Sequence, residues 1–209
     1  DEKLEGPALF LTLAVSLSIG IGLFFLLPAG LGGLGERYLA WSPWLANLTE
    51  GVIRLILLVA YIWAIGFMPD VKRLFGYHGA EHKTINAFEA GAELTPESVA
   101  KFSLEHPRCG TAFLLTLVLI SILVFTALGP LSMFWRLASR VLLIPVLAGI
   151  SVEYIRWTAN HLDSPLVRFL IKPNLALQAL TTREPDRGML EVAIESFKTM
   201  RKAEQEIVV

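Results

Sequence analysis

The sequence lacks most of what marks a soluble protein. Only 18% of its 209 residues are charged, and the formal net charge is −1. So even a balance excludes a broadly basic surface, and with it nucleic acid as a partner. Cysteine occurs once, at Cys109, so no internal disulfide framework can form and the lone thiol needs another explanation. Neither an initiator Met nor a cleavable signal peptide is visible at the charged start (Asp1, Glu2, Lys3, Glu5), and the expectation is a piece of a longer product. Repeats and low-complexity tracts are also missing.

What is present is apolar. Hydrophobic residues make up 54% of the chain and the mean hydropathy is +0.58, within the helical membrane class. A hydrocarbon core about 30 Å thick takes roughly 20 residues of helix to cross. Four stretches qualify. Residues 6–28 carry no charge beyond Gly6 and end at Pro28 and the glycines after it. Residues 51–68 hold Arg54 near one end, where it can snorkel. Residues 111–128 are closed by Gly129-Pro130, and residues 137–157 contain Arg140 and Glu153. The expected fold class is all-α: a polytopic helical membrane protein with about four transmembrane helices in one membrane domain, surrounded by membrane lipids.

Loop charges set an orientation. Lys72, Arg73, Lys83, Lys101 and Arg108 lie between the second and third spans, and eight more basic residues lie from Arg156 onward. The opposite side offers Arg37, Arg54, Arg136 and Arg140. Both termini and the 69–110 loop are therefore expected on the cytoplasmic face of an inner (plasma) membrane. Thr95 and Pro96 predict a helix start inside that loop. In the tail, 158–209, residues 165–180 are broken by Lys172-Pro173 and suit an interfacial or re-entrant segment. Leu190, Ala193, Ile194, Phe197 and Met200 then follow helical spacing, which predicts an amphipathic helix packed against the rest of the domain.

The most polar cluster stands beside the second span. In "YHGAEH", His78 and His82 are four apart and share a helical face, so both imidazoles can reach one ion. Glu81 is placed to act as general base, in the order of the inverted zinc-protease motif. Glu153 is a candidate third ligand, because an ionisable residue inside a span is costly unless paired or coordinated. "HPRCG" adds His106 and Cys109 at a chelating spacing. The N, S and O donors favour zinc. Each also has a plainer reading: a surface histidine pair, a loop histidine, a core cysteine, a Glu153–Arg156 pair one turn apart.

With those residues in view, the chain resembles the YqhQ-like family of uncharacterised bacterial membrane proteins. The resemblance is carried by "YHGAEHKTIN" (77–86), "HPRCGTAF" (106–113), "IPVLAGISVEYIR" (144–156) and "LTTREPDRGMLEVAI" (180–194). It implies a predicted metal-dependent enzyme with no substrate attached. It also implies that His78, Glu81, His82, His106, Cys109 and Glu153 belong to the family's pattern, and that a Gly-rich segment precedes the first span.

Two functions follow. One is a membrane zinc hydrolase with His78, His82 and Glu153 on the ion and Glu81 as base. The other is a channel, transporter or assembly scaffold stapled by a closed structural site that includes Cys109 or His106. Gly20, Gly22, Ser16 and Ser18 in the first span would allow close helix approach and a homo-oligomer. Polar residues along the spans are few, which argues against a wide hydrophilic path in one subunit.

Overall fold

The computed structural model describes residues 6–207, and among these every regular element is helical. In chain order they are α1 (Pro7–Ile21), a π-helical turn (Gly22–Leu26), α2 (Leu27–Leu39), α3 (Pro43–Ile65), α4 (Pro69–Glu89), α5 (Pro96–Val99), α6 (Gly110–Ala127), α7 (Met133–Leu142), α8 (Ile144–Asn160), α9 (Pro165–Thr181) and α10 (Arg187–Ile207). Three helical stretches are long and apolar enough to cross a membrane: Pro7–Leu39, Pro43–Ile65 and Gly110–Ala127. α7 and α8, bent by 46°, make a fourth if they form one broken span. The chain is an all-α polytopic helical protein.

The second span starts earlier than the sequence reading has it, at Pro43 rather than Gly51, and two further differences lie at prolines. Pro28 does not end the first span. The helix runs on through it behind a π-helical turn, and the Phe24 carbonyl, four residues back, which proline cannot bond, accepts from Arg54 Nε at 2.7 Å instead. The fourth span is interrupted at Leu143, because Pro145 cannot donate to the carbonyl of Val141 and its ring crowds that carbonyl. Pro173, by contrast, is carried inside α9. Thr95 and Pro96 do open a helix, but α5 lasts only four residues.

The helices divide into two compact units. One contains Thr116–Glu153 with the chain up to Val59; the other contains Ala60–Leu115 with the chain from Tyr154 on. In the first, Phe25, Phe125 and Leu147 form the buried centre, packed by Phe24, Leu117, Ile120 and Val124. A charged network shares this interior. Arg54 does not snorkel: it is fully buried, bonds the Phe24 carbonyl (2.7 Å) and Ser121 Oγ (2.6 Å), and pairs with Glu50 (2.6 Å). Arg140 grips the same carboxylate through both oxygens, at 2.8 and 2.6 Å, and reaches Asn47 Oδ1 at 3.0 Å. Its guanidinium lies 4.3 Å from the Phe125 ring centre. A buried charge is tolerated only when paired and bonded in this way.

In the second unit α4 is the platform. Ala80, Ala87, Val99, Leu190 and Ile194 make its core, where alanines on α4 let the apolar stripe of α10 approach, as the spacing predicts. Gly79 has a specific purpose. A Cβ there would lie 2.2 Å from the Arg183 carbonyl oxygen and 2.8 Å from Leu104 Cδ2, so only glycine lets these two segments lie on the helix. The Arg183 N–H donates to the Phe75 carbonyl at 2.9 Å, which holds the chain after α9 in place. Lys83, also buried, donates to the carbonyls of Ala100 and Phe102 (2.8 Å each) and pairs with Glu184 (2.9 Å).

Candidate metal centre

Three donors meet on this platform. His78 and His82 project from adjacent turns of α4 with ring centres 4.3 Å apart, and Cys109 stands immediately before α6. Their ligand atoms lie within 4.8 Å of one another. The tautomers follow from the backbone. Nδ1 of His78 is 2.9 Å from the Thr181 carbonyl, and Nδ1 of His82 is 2.5 Å from the Leu104 carbonyl. A carbonyl only accepts, so each Nδ1 carries a proton and donates it. Each Nε2 is then left for the interior, and that of His78 is 3.1 Å from Cys109 Sγ. A carbonyl behind a histidine is the usual orienting partner of a metal ligand.

The thiol is tuned by the same contacts. Burial pushes it up, but hydrogen bonds with His78, His82 and Thr111 outweigh burial and bring it down from 9.0 to about 5. The Thr111 hydroxyl is 2.8 Å from Sγ, and the Thr111 N–H donates to it at 3.4 Å from the first turn of α6, where negative charge is favoured. His78 is shifted up, chiefly by its hydrogen bond with Cys109. One proton thus sits between Sγ and Nε2 of His78, while Nε2 of His82 faces the same space.

The donor set fits a zinc ion. Tetrahedral zinc with bonds of about 2.0–2.3 Å places neighbouring N and S donors about 3.5 Å apart, between the 3.1 Å of His78 and Cys109 and the 4.8 Å within which all three ligand atoms lie. Soft thiolate with two imidazoles is also a zinc-type combination.

The other predicted residues are not part of this donor group. His106 is buried with its ring centre 5.8 Å from that of His82, outside the donor group. The Arg108 N–H donates to its Nδ1 at 3.3 Å, so in the neutral ring the proton is on Nε2, which points to Glu89 at 3.6 Å and offers no lone pair. Burial lowers its basicity, opposed in part by Glu89. Its backbone is clamped from both sides by Gln178, which accepts from its N–H at 3.0 Å and donates to its carbonyl at 2.6 Å. Glu153 is exposed, closes the first unit and is outside the donor group. Glu81 is exposed and lines a groove of about 360 Å³ with Tyr77, Val192, Phe197 and Met200. His161 rests on Trp157 and bonds its carbonyl.

The sequence reading missed the orienting groups. Leu104 and Thr181 act through backbone carbonyls, which no side-chain motif reveals, and Gln178 and Thr111 carry no spacing signal. "LTT" at 180–182, inside the fourth matching stretch, was the one available pointer.

Comparison with known proteins returns the same neighbourhood. The "Uncharacterized protein YqhQ" of Bacillus subtilis (strain 168) is 37% identical over 209 residues, covering 98% of this chain. The chain spans 65% of that relative's length. No solved structure matches. Residues 1–203 match the family described as "Protein of unknown function (DUF1385)", and the chain belongs to that family.

Proposed function

We propose that this is an integral membrane metalloprotein whose ion, zinc by preference, is held by His78, His82 and Cys109 on the cytoplasmic side of a bacterial inner membrane. One observation carries this reading. Two histidines, both fixed with Nδ1–H on a backbone carbonyl, turn their remaining nitrogens towards one thiol. A Cys–His pair of the nucleophilic kind needs one imidazole. A single proton cannot satisfy two imidazole lone pairs and a thiolate, whereas a cation satisfies all three at once.

Three protein donors leave a fourth position open, which supports a hydrolytic centre over a closed structural one. When bound, zinc polarises a carbonyl or phosphoryl oxygen and acidifies water. Glu81, exposed on the same helix, is the residue assigned to move the proton, and the groove it lines is the place for a substrate with an apolar part. Loop charges support the cytoplasmic placement: the donors lie among Lys72, Arg73, Lys83, Lys101 and Arg108.

Elemental analysis of detergent-purified protein tests the site. Near-stoichiometric zinc is expected in the wild type and in Glu81→Gln, with most of it lost in His82→Ala and in Cys109→Ser. His106→Gln retains the metal. A wild type that stays metal-free after zinc is supplied would sink the proposal, and a Cys109→Ser variant with full occupancy would remove the thiolate from it.

A further inference from the structure

The first unit holds a polar feature unconnected with the metal site. A groove of about 350 Å³ opens between α2 and the start of α7, lined by Leu34, Glu36, Arg37, Leu131, Met133 and Arg136. Its floor is tightly packed: a Cβ on Gly33 would stand 3.0 Å from the Met133 sulfur and 3.4 Å from the Arg136 guanidinium. Arg136 is buried and salt-bridged to Glu36, which makes that pair neutral. Arg37 is exposed, so the lining carries one positive charge in excess.

The setting identifies the solvent. Leu34 and Met133 are exposed apolar walls, and Tyr38, Trp44, Phe134 and Trp135 are exposed on the flanking turns. Large aromatic side chains gathered at the end of apolar helices mark the headgroup level of a bilayer. A guanidinium beside apolar walls at that level matches a phosphate with acyl chains below it. With Glu36 neutralised by Arg136, the single excess charge of Arg37 is balanced by one negative charge on the ligand. A phosphodiester with one charge matches that balance, whereas a dianionic phosphate leaves one negative charge uncompensated beside apolar walls.

We propose that this groove binds the phosphate of a singly anionic phospholipid of the phosphatidylglycerol class, with Arg37 as its principal contact. Delipidated protein in detergent, titrated with phosphatidylglycerol or phosphatidylcholine and read by native mass spectrometry, tests the assignment. Phosphatidylglycerol is expected to be retained several-fold better. Arg37→Ala should weaken it about five-fold, Arg37→Lys should retain most of it, and Lys202→Ala, an exposed residue in the other unit, should change nothing. Equal retention of the two lipids, or no effect of Arg37→Ala, would overturn the proposal. Competition by water-soluble glycerophosphoglycerol at the same concentration as the lipid would overturn it too, by making the ligand a free anion.

Discussion

At the scale of the residue, Cys109 is the most perturbed group outside the spans. A thiol held at about 5 is a thiolate at neutral pH, so a metal displaces only the proton shared with His78. In metal-free protein, ultraviolet absorbance of the thiolate, taken against Cys109→Ser, should titrate with a midpoint near pH 5. A midpoint near 9 would mean that the imidazole contacts do not hold in solution. The stability linkage has two opposing arms. The lowered thiol stabilises the fold fully above pH 9.0, and that contribution is lost as pH falls through about 5. His78, raised above 6.5, contributes fully below 6.5 and loses that contribution as pH rises through its folded value. The thiol arm therefore grows as pH rises from about 5 to 9.0, and above 6.5 the loss of the His78 arm offsets that growth until His78 has lost its proton. The two motifs were legible in the sequence as HxxEH and HPRCG. Their partnership was not, because Cys109 reaches His78 only after two long-range carbonyl contacts fix the ring orientations.

At the scale of the element, the first unit is held by charges that the sequence displays but does not connect. Glu50 and Arg54 are one helical turn apart, yet Arg140 comes from α7, ninety positions after Glu50, and Ser121 from α6. Read singly, Arg54 sits near a helix end and Arg140 weakens its span; together they are a buried, mutually bonded cluster. Two guanidiniums share one carboxylate, which fixes the order of mutational costs. Glu50→Gln leaves two like charges facing each other without compensation, and should cost about 3–5 kcal/mol. Arg54→Met leaves the two-toothed Arg140–Glu50 pair neutral and intact, and should cost clearly less. Thermal unfolding of detergent-solubilised variants checks the ranking; an Arg54→Met protein less stable than Glu50→Gln would contradict it. Helix existence and the amphipathic stripe of α10 were readable because apolar periodicity is local. The passage of the first helix through Pro28 was not, because it depends on a π-helical turn that no residue type announces.

At the scale of the whole molecule, the same network sharpens the reading of orientation. Counted from sequence, the side opposite the His-containing loop has four arginines: Arg37, Arg54, Arg136 and Arg140. Arg54 and Arg140 are buried on Glu50, and Arg136 is buried on Glu36, so none of the three acts as a free loop charge. Arg37 remains on that side; by the same measure Lys83, buried on Glu184, drops out of the other, which leaves Lys72, Arg73, Lys101 and Arg108 and the basic residues after α8. Translocation is opposed by basic residues in short loops, so the excess of basic residues on the His-containing side sets the expected bias. A fluorescent-protein reporter joined after Val209 should therefore fluoresce, and alkaline phosphatase inserted in the turn between Leu39 and Pro43 should be active, because each folds on only one side of the bacterial inner membrane. The reverse pattern would put the metal donors outside the cytoplasm, where a lone thiolate ligand is exposed to oxidants, and would remove the basis for a cytoplasmic zinc centre. Arg37→Ala with a lysine pair introduced in the 40–42 turn gives the finer test: restored charge on that side should produce a measurable fraction of inverted molecules, whereas the same pair placed after Lys202 should leave the topology unchanged.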